Sequence, residues 1–168
     1  MHVQRTTKLV GTAVLGALVV VFDYALKFSG WKIPFPWLTT LKFDFTGIPI
    51  VLSLLLYGLR SGATTSAIAF LAIVLRSGNF VSASMKALSE FSTIFGMALF
   101  QNRMGRIGRA SSLILGLAVR VAVTSLFNLM VLPVAFPETY AFFAEVLLLP
   151  FMGVFNVMQA LINIIPSY

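Results

Sequence analysis

The chain has 168 residues, 59% of them hydrophobic and only 10% charged, where an average soluble domain is about 25% charged; so little polar surface excludes a soluble globule and indicates an integral membrane protein. The apolar runs are long and continuous rather than alternating, which favours helices over a barrel. Cysteine is absent and the one histidine is His2, which excludes a disulfide framework, a thiol nucleophile and a His-based metal site, while the net charge of +7 falls mainly in loops and reads as membrane topology rather than nucleic-acid binding.

Residues 1–8 are polar and carry Arg5 and Lys8. The first apolar run, 9–28, shows no small-x-small cleavage site and continues into Asp23, Tyr24 and Lys27, so it reads as a membrane helix rather than a signal peptide. Asp23 is spaced to pair with Lys27 one turn on. The pattern Ala13-x-x-x-Ala17, with Gly16 beside it, allows a second helix to approach closely. Ala13, Gly16 and Ala17 therefore mark either internal packing or a partner surface.

Residues 29–43 form a loop rich in aromatic side chains and proline. Trp31, Phe35, Trp37 and Phe43 suit an interfacial belt or a lid that stacks on a flat ligand. The polar cluster Lys42, Asp44 and Thr46 then runs into an apolar helix at 45–59. Pro49 suits its first turn, where the missing N–H is no loss. Charges thus sit at the mouth of a span, where a ligand is expected to enter.

A tight turn at Arg60-Ser61-Gly62 leads to a short helix at 63–75, and a turn at 76–80 leads to a helix at 82–100. Lys86 and Glu90 lie on one face of that helix at i, i+4, spaced to pair with each other. Inside a membrane such a pair either fixes packing or is opened by a polar ligand. A basic loop at 101–111 carries Arg103, Arg106 and Arg109. The helix at 112–132 holds Arg120, which requires a partner such as Glu145 or Glu90, and also Asn128. After a loop at 132–140, the last helix spans 142–165, with a bend expected at Pro150. It carries Asn156, Gln159 and Asn163 on one stripe, suited to interhelical hydrogen bonds or to the imide-like edge of a heterocycle.

The expected architecture is an all-α integral membrane protein, six transmembrane helices in a single bundle spanning 1–168 as one domain. The excess of Lys and Arg on one side predicts cytoplasmic N and C termini in the cell membrane, with the Trp/Pro loop outside. There is no G-x-x-x-x-G-K-[ST], no HExxH and no GxSxG. The chain is therefore expected neither to power transport itself nor to be an enzyme. Without an inverted repeat it is also small for a stand-alone secondary transporter.

The run Leu41-Lys42-Phe43-Asp44-Phe45-Thr46-Gly47-Ile48-Pro49 resembles the L-K-x-D-[FL]-[ST]-x-I-P lead-in to the second helix of the substrate-binding S-components of energy-coupling factor (ECF) vitamin transporters, most like the riboflavin-type branch. Leu-Tyr-Gly-Leu-Arg-Ser-Gly at 56–62 is similar to the glycine-containing turn that follows. Phe155-Asn156-Val157-Met158-Gln159 is similar to the family's F-N-x-x-[KQ]. Gly47 stands where the family often has an acidic residue or Asn, and Lys86 and Glu90 have no counterpart in the riboflavin pattern.

The resemblance implies a subunit that binds riboflavin or another small vitamin from outside under the loop at 29–43. It would then topple in the membrane on a transmembrane T-subunit driven by two ATPase subunits, with Ala13, Gly16 and Ala17 docking on the T-subunit. The expected ligand contacts are Trp31, Lys42, Asp44, Thr46, Lys86, Glu90, Asn128, Asn156 and Gln159. No cofactor, metal or nucleic acid is expected, and lipids surround the bundle. The alternative is a structural subunit of a membrane complex with no ligand, in which Lys86, Glu90 and Asn156 would pack as closed pairs without a cavity.

Overall fold

The computed structural model describes residues 2–30, 32–100, 106–135, 137 and 145–168. Among them are six helices and one hairpin: α1 (His2–Phe28), β1 (Ile33–Phe35), β2 (Leu38–Phe43), α2 (Gly47–Tyr57), α3 (Leu59–Ser77), α4 (Phe80–Ala98), α5 (Arg106–Ala135) and α6 (Glu145–Ile164), with a terminal 3-10 turn at Ile165–Ser167. The architecture is thus nearly all-helical rather than purely so. The expected loop folds into an antiparallel hairpin, pairing Ile33 with Phe43, Pro34 with Lys42 and Phe35 with Leu38, with an irregularity between Pro34 and Phe35. A two-stranded ribbon has only edge strands, so it tolerates the prolines that argue against a strand in the sequence.

The helix boundaries follow local chemistry. The turn expected at Arg60-Ser61-Gly62 lies instead at Gly58. This residue alone separates α2 from α3, at φ +94°, and its N–H donates to the Leu54 carbonyl at 2.8 Å. A positive φ is open to glycine without the clash a side chain would bring. Arg60, Ser61 and Gly62 instead open α3, with Gly62 packed against Leu54 and Ile94. Gly78, at φ +66°, closes α3 in the same manner, and Asn79 caps α4 by accepting from the Ser82 N–H at 2.9 Å. Pro49 lies in the first turn of α2 as expected. α1 and α5 are both longer than the apolar runs within them, and α5 continues through Pro133.

Arg5–Phe28, Leu59–Ser77, Ile107–Ala135 and Pro150–Ser167 are each long and apolar enough to cross a membrane. Helix α2 has only 11 residues, against about 20 for a straight span, and α4 carries Lys86, Glu90 and a series of hydroxyl side chains. The main core joins Val19, Ile50, Leu54, Ile94, Met97 and Ile164. A second cluster at the hairpin end packs Phe35 and Phe43 from the ribbon on Leu132, Met152 and Phe155. The hairpin is therefore an integral cap on the bundle rather than a loose connection.

A close backbone approach joins α4 and α5. A Cβ built on Gly96 would stand 2.7 Å from the Leu115 carbonyl oxygen and 2.9 Å from Gly116 Cα, and Ser112 Oγ donates across the same crossing to the Met97 carbonyl at 2.9 Å. Small residues permit such contact where apolar burial gives no drive between helices. Gly96→Ala is expected to destabilise the protein by about 1–3 kcal/mol through overpacking. A thermal melt in detergent tests this; an unchanged melting temperature would mean that the crossing opens freely.

Candidate functional site

A cavity of about 650 Å³ lies at the hairpin end of the bundle, walled by α1, α3, α4, α5 and α6 and by the segment leading from β2 into α2. One side is apolar, with Leu41, Phe127, Leu132, Met152 and Phe155; the other is ionic. The contrast follows from the sequence. The apolar side comes mainly from the outer turns of α5 and α6, while the ionic side comes from the hairpin, the ends of α1 and α3, one face of α4 and Arg120 of α5.

Asp44 is the best-held group on the ionic side. It follows β2 directly, and Thr46 donates to its Oδ1 through the backbone N–H at 3.2 Å and the hydroxyl at 2.7 Å. Lys86 Nζ donates to Oδ2, and Lys32 Nζ lies 3.8 Å from the same oxygen. The Asp44 backbone is clamped from α6: Gln159 Nε2 donates to its carbonyl at 2.6 Å, and its own N–H donates to Gln159 Oε1 at 3.2 Å. Burial alone would raise the carboxyl's pKa. The Lys86 and Lys32 charges, with hydrogen bonds from Lys86 and Thr46, outweigh that and hold it at about 2.

The ionic contacts continue outward. Lys32 Nζ lies 3.4 Å from Asp23 Oδ1, and Arg76 Nε donates to Asp23 Oδ2 at 2.6 Å. Lys86, Asp44, Lys32, Asp23 and Arg76 thus form a ladder of alternating sign that ties α4, the hairpin, α1 and α3 together. Two expected pairings are corrected by it. Asp23 pairs with Lys32 and Arg76 rather than with Lys27, because the cationic ends of the hairpin and α3 reach it across the bundle. Lys86 and Glu90 share a helix but not a bond, since each meets a charge from another element.

Glu90 belongs to a deeper network. Arg120, on α5, lies 3.3 Å from Glu90 Oε1, and Asn163 Nδ2 donates to both Glu90 oxygens at 3.1 and 3.3 Å. Arg120 also donates to Thr93 Oγ1 at 3.0 Å and to Asn156 Oδ1 at 3.3 Å, and Asn156 Nδ2 donates to the Met152 carbonyl at 2.9 Å. Of the two partners expected for Arg120, Glu90 fills the role. Gly47 explains why the network fits. Any side chain there would strike Asn163 and Glu90, which occupy the space an acidic residue or Asn would need.

Of the residues singled out in the sequence, Lys42, Asp44, Lys86, Glu90, Asn128, Asn156 and Gln159 all line the cavity. Asn128 donates one amide hydrogen to Met152 Sδ at 3.0 Å. Thr46 is buried behind Asp44 rather than on the cavity wall, and Gln159 holds the Asp44 backbone by both ends of its amide. Trp31 lies outside the described residues. Ala13 and Ala17 are exposed on α1, whereas Gly16 is buried on the inner face, where Ile68 packs against it. Sequence reasoning missed the cavity residues Lys32, Arg76 and Phe127, and assigned Asp23 only a pairing with Lys27. The available signal was that Asp23, Lys32 and Arg76 sit at helix or loop ends on one side of an alternating bundle. Among the described residues, no cluster of His, Asp and Glu could hold a metal ion.

No protein-family model matches this sequence, and no curated protein matches it. Among solved structures, one described as the S component of a bacterial ECF transporter superposes with a TM-score of 0.80 at 21% identity, covering 97% of this chain and 92% of that chain. The chain shares the S-component fold. An identity of 21% speaks for the path of the backbone, so the roles of individual side chains rest on the cavity itself.

Because the Asp44 carboxyl is held at about 2, below its usual value of 3.8, its ionic contacts stabilise the fold above the usual value and are lost as pH falls through about 2. The stability difference between wild type and Asp44→Asn is therefore expected to be flat from neutral pH down to about 4 and to shrink below it. Denaturant titrations across that range would measure it; a difference already shrinking near neutral pH would contradict the placement of the charge.

Proposed function

We propose that this chain is the substrate-binding S subunit of an ECF-type vitamin importer, embedded in the cell membrane with all six helices spanning and both termini cytoplasmic. The observation that carries this reading is the cavity of about 650 Å³, capped by the hairpin within an S-component fold. Its size suits a small vitamin, since ligand pockets run from about 300 to 1,000 Å³. Riboflavin or a related flavin is the first ligand to test. Phe127 and Phe155 offer ring faces, and Asn128 and Asn156 offer amide edges.

The partners proposed are a T-subunit and two ATPase subunits, because the chain lacks a P-loop of its own. Delivery would follow by toppling of the loaded subunit on the T-subunit. The exposed Ala13 and Ala17, flanked by Val10, Val14 and Val21 on the same outer stripe of α1, supply a face on which another helix can seat closely. A ligand-free structural subunit is the competing reading. Lys86, Glu90 and Asn156 are paired as that reading expects, but the open cavity they line speaks against it.

Denaturing the purified protein and identifying any released small molecule by absorbance and mass spectrometry tests the proposal. A flavin near one per chain is the expected result. Asp44→Ala is expected to weaken ligand binding by about tenfold or more, because Lys86 and Lys32 lose the carboxylate that positions them at the cavity, while the protein stays folded; unchanged affinity in a direct titration would remove Asp44 from the binding machinery. Ala17→Leu is expected to keep ligand affinity but to block co-purification with the T-subunit. Normal assembly and uptake in that variant would end the docking role.

A further inference from the structure

The cavity is not neutral. Six cationic side chains line it against three carboxylates. All three carboxylates are already matched, Asp23 and Asp44 within the ladder and Glu90 by Arg120 and Asn163. The ladder begins and ends on a cation, and among the described residues Lys27 and Lys42 meet no carboxylate.

The positions of these cations follow the cavity rather than membrane topology. Basic residues set topology from the loops on one side of a membrane, and among the described residues Arg5, Lys8, Arg60 and Arg109 belong to helix ends away from the hairpin. Among the described residues, the helix ends and loops on the hairpin side carry Lys27, Lys32, Lys42 and Arg76, and all four line the cavity. Lys32 and Lys86 also approach the same oxygen of Asp44. Burial and the neighbouring Lys86 charge push Lys32 below the usual lysine range. Side-chain exposures of only 16% for Lys32 and 21% for Lys86 leave these charges little water to compensate them.

We infer that the ligand of this cavity is an anion, with a phosphate or carboxylate group at the end marked by Lys32, Lys42 and Lys86 and its ring or chain against Phe127 and Phe155. This rests on the binding-subunit reading and adds the chemical class of what is bound. A negative group there would neutralise the surplus without displacing Asp44, and each contact to it would be charge-assisted.

Matched pairs of probes test it on the purified full chain in detergent: riboflavin against riboflavin 5′-phosphate, and biotinamide against biotin, with inorganic phosphate and acetate as minimal anions. Calorimetric titration and melting temperature are the readouts. The anionic member of at least one pair is expected to bind about tenfold or more tighter than its neutral partner, with affinity falling as salt rises. A preference confined to the phosphate pair or to the carboxylate pair identifies which group is read. The preference is expected to shrink toward unity in Lys86→Gln and in Lys42→Gln; the second residue is exposed at the rim, so its variant should fold normally. A melting shift with inorganic phosphate or acetate alone, abolished in both variants, would equally support the inference. Equal binding within pairs, or tighter binding of the neutral members, overturns it and leaves the binding subunit standing. No binding and no melting shift with any probe overturns both.

Discussion

A charge inside a membrane-like interior must meet an opposite charge or water, and most of this molecule's architecture serves that constraint. Moving an isolated ion into such a medium costs several kcal/mol even after relaxation. The chain answers with two networks. The outer one alternates in sign from Lys86 through Asp44, Lys32 and Asp23 to Arg76, and the inner one centres on Glu90 and Arg120. Each joins elements far apart in sequence, so the pairs cannot form until the bundle does. They add little net stability over an apolar core, but they specify one arrangement, because any other leaves a buried charge alone.

The two networks meet at the start of α2. Asp44 belongs to the outer one, and Gly47, three residues later, makes room for the inner one. Gln159 and Asn163 on α6 connect them, since Gln159 Nε2 reaches both the Asp44 carbonyl and Asn163 Oδ1. The apolar side of the cavity is built by different means, through aromatic contacts of Phe35 and Phe43 on Phe155. Polar and apolar walls are therefore held by different kinds of contact, although Phe43 and Asp44, and Phe155 and Asn156, are neighbours in the sequence. A related chain could change one wall and keep the other.

Much of this was legible in the sequence. Composition identified a membrane bundle, and the apolar runs located the six helices of the described residues. Pairs that depend on one helix's spacing were the weak point. Lys86–Glu90 and Asp23–Lys27 have the right separation, yet both acids take partners from other elements, because a buried carboxylate is better served by a converging guanidinium or ammonium than by a neighbour on its own surface. The hairpin was hidden by Pro34 and Pro36, which suppress strand signals that a two-stranded ribbon does not need. The α2–α3 turn was misplaced because Gly62 also looked like a turn residue, whereas its lack of a side chain serves packing against Ile94. Arg120's partner was legible because few acids were available to it.

Gly58 gives the cavity mouth a mechanical connection to the far end of the bundle. Helices α2 and α3 meet there with no other residue between them, and Thr65 Oγ1 on α3 donates to Ser53 Oγ on α2 at 2.9 Å. One arm is led in by Asp44 and the other ends beside Arg76, both rungs of the ionic ladder. With 19 residues in α3, that arm is about 28 Å long. The pair is therefore joined at one end by a single glycine and tied into the ladder at the ends away from it. Any change that widens the angle at Gly58 would be felt first as strain in the ladder, an arm's length from where it was made.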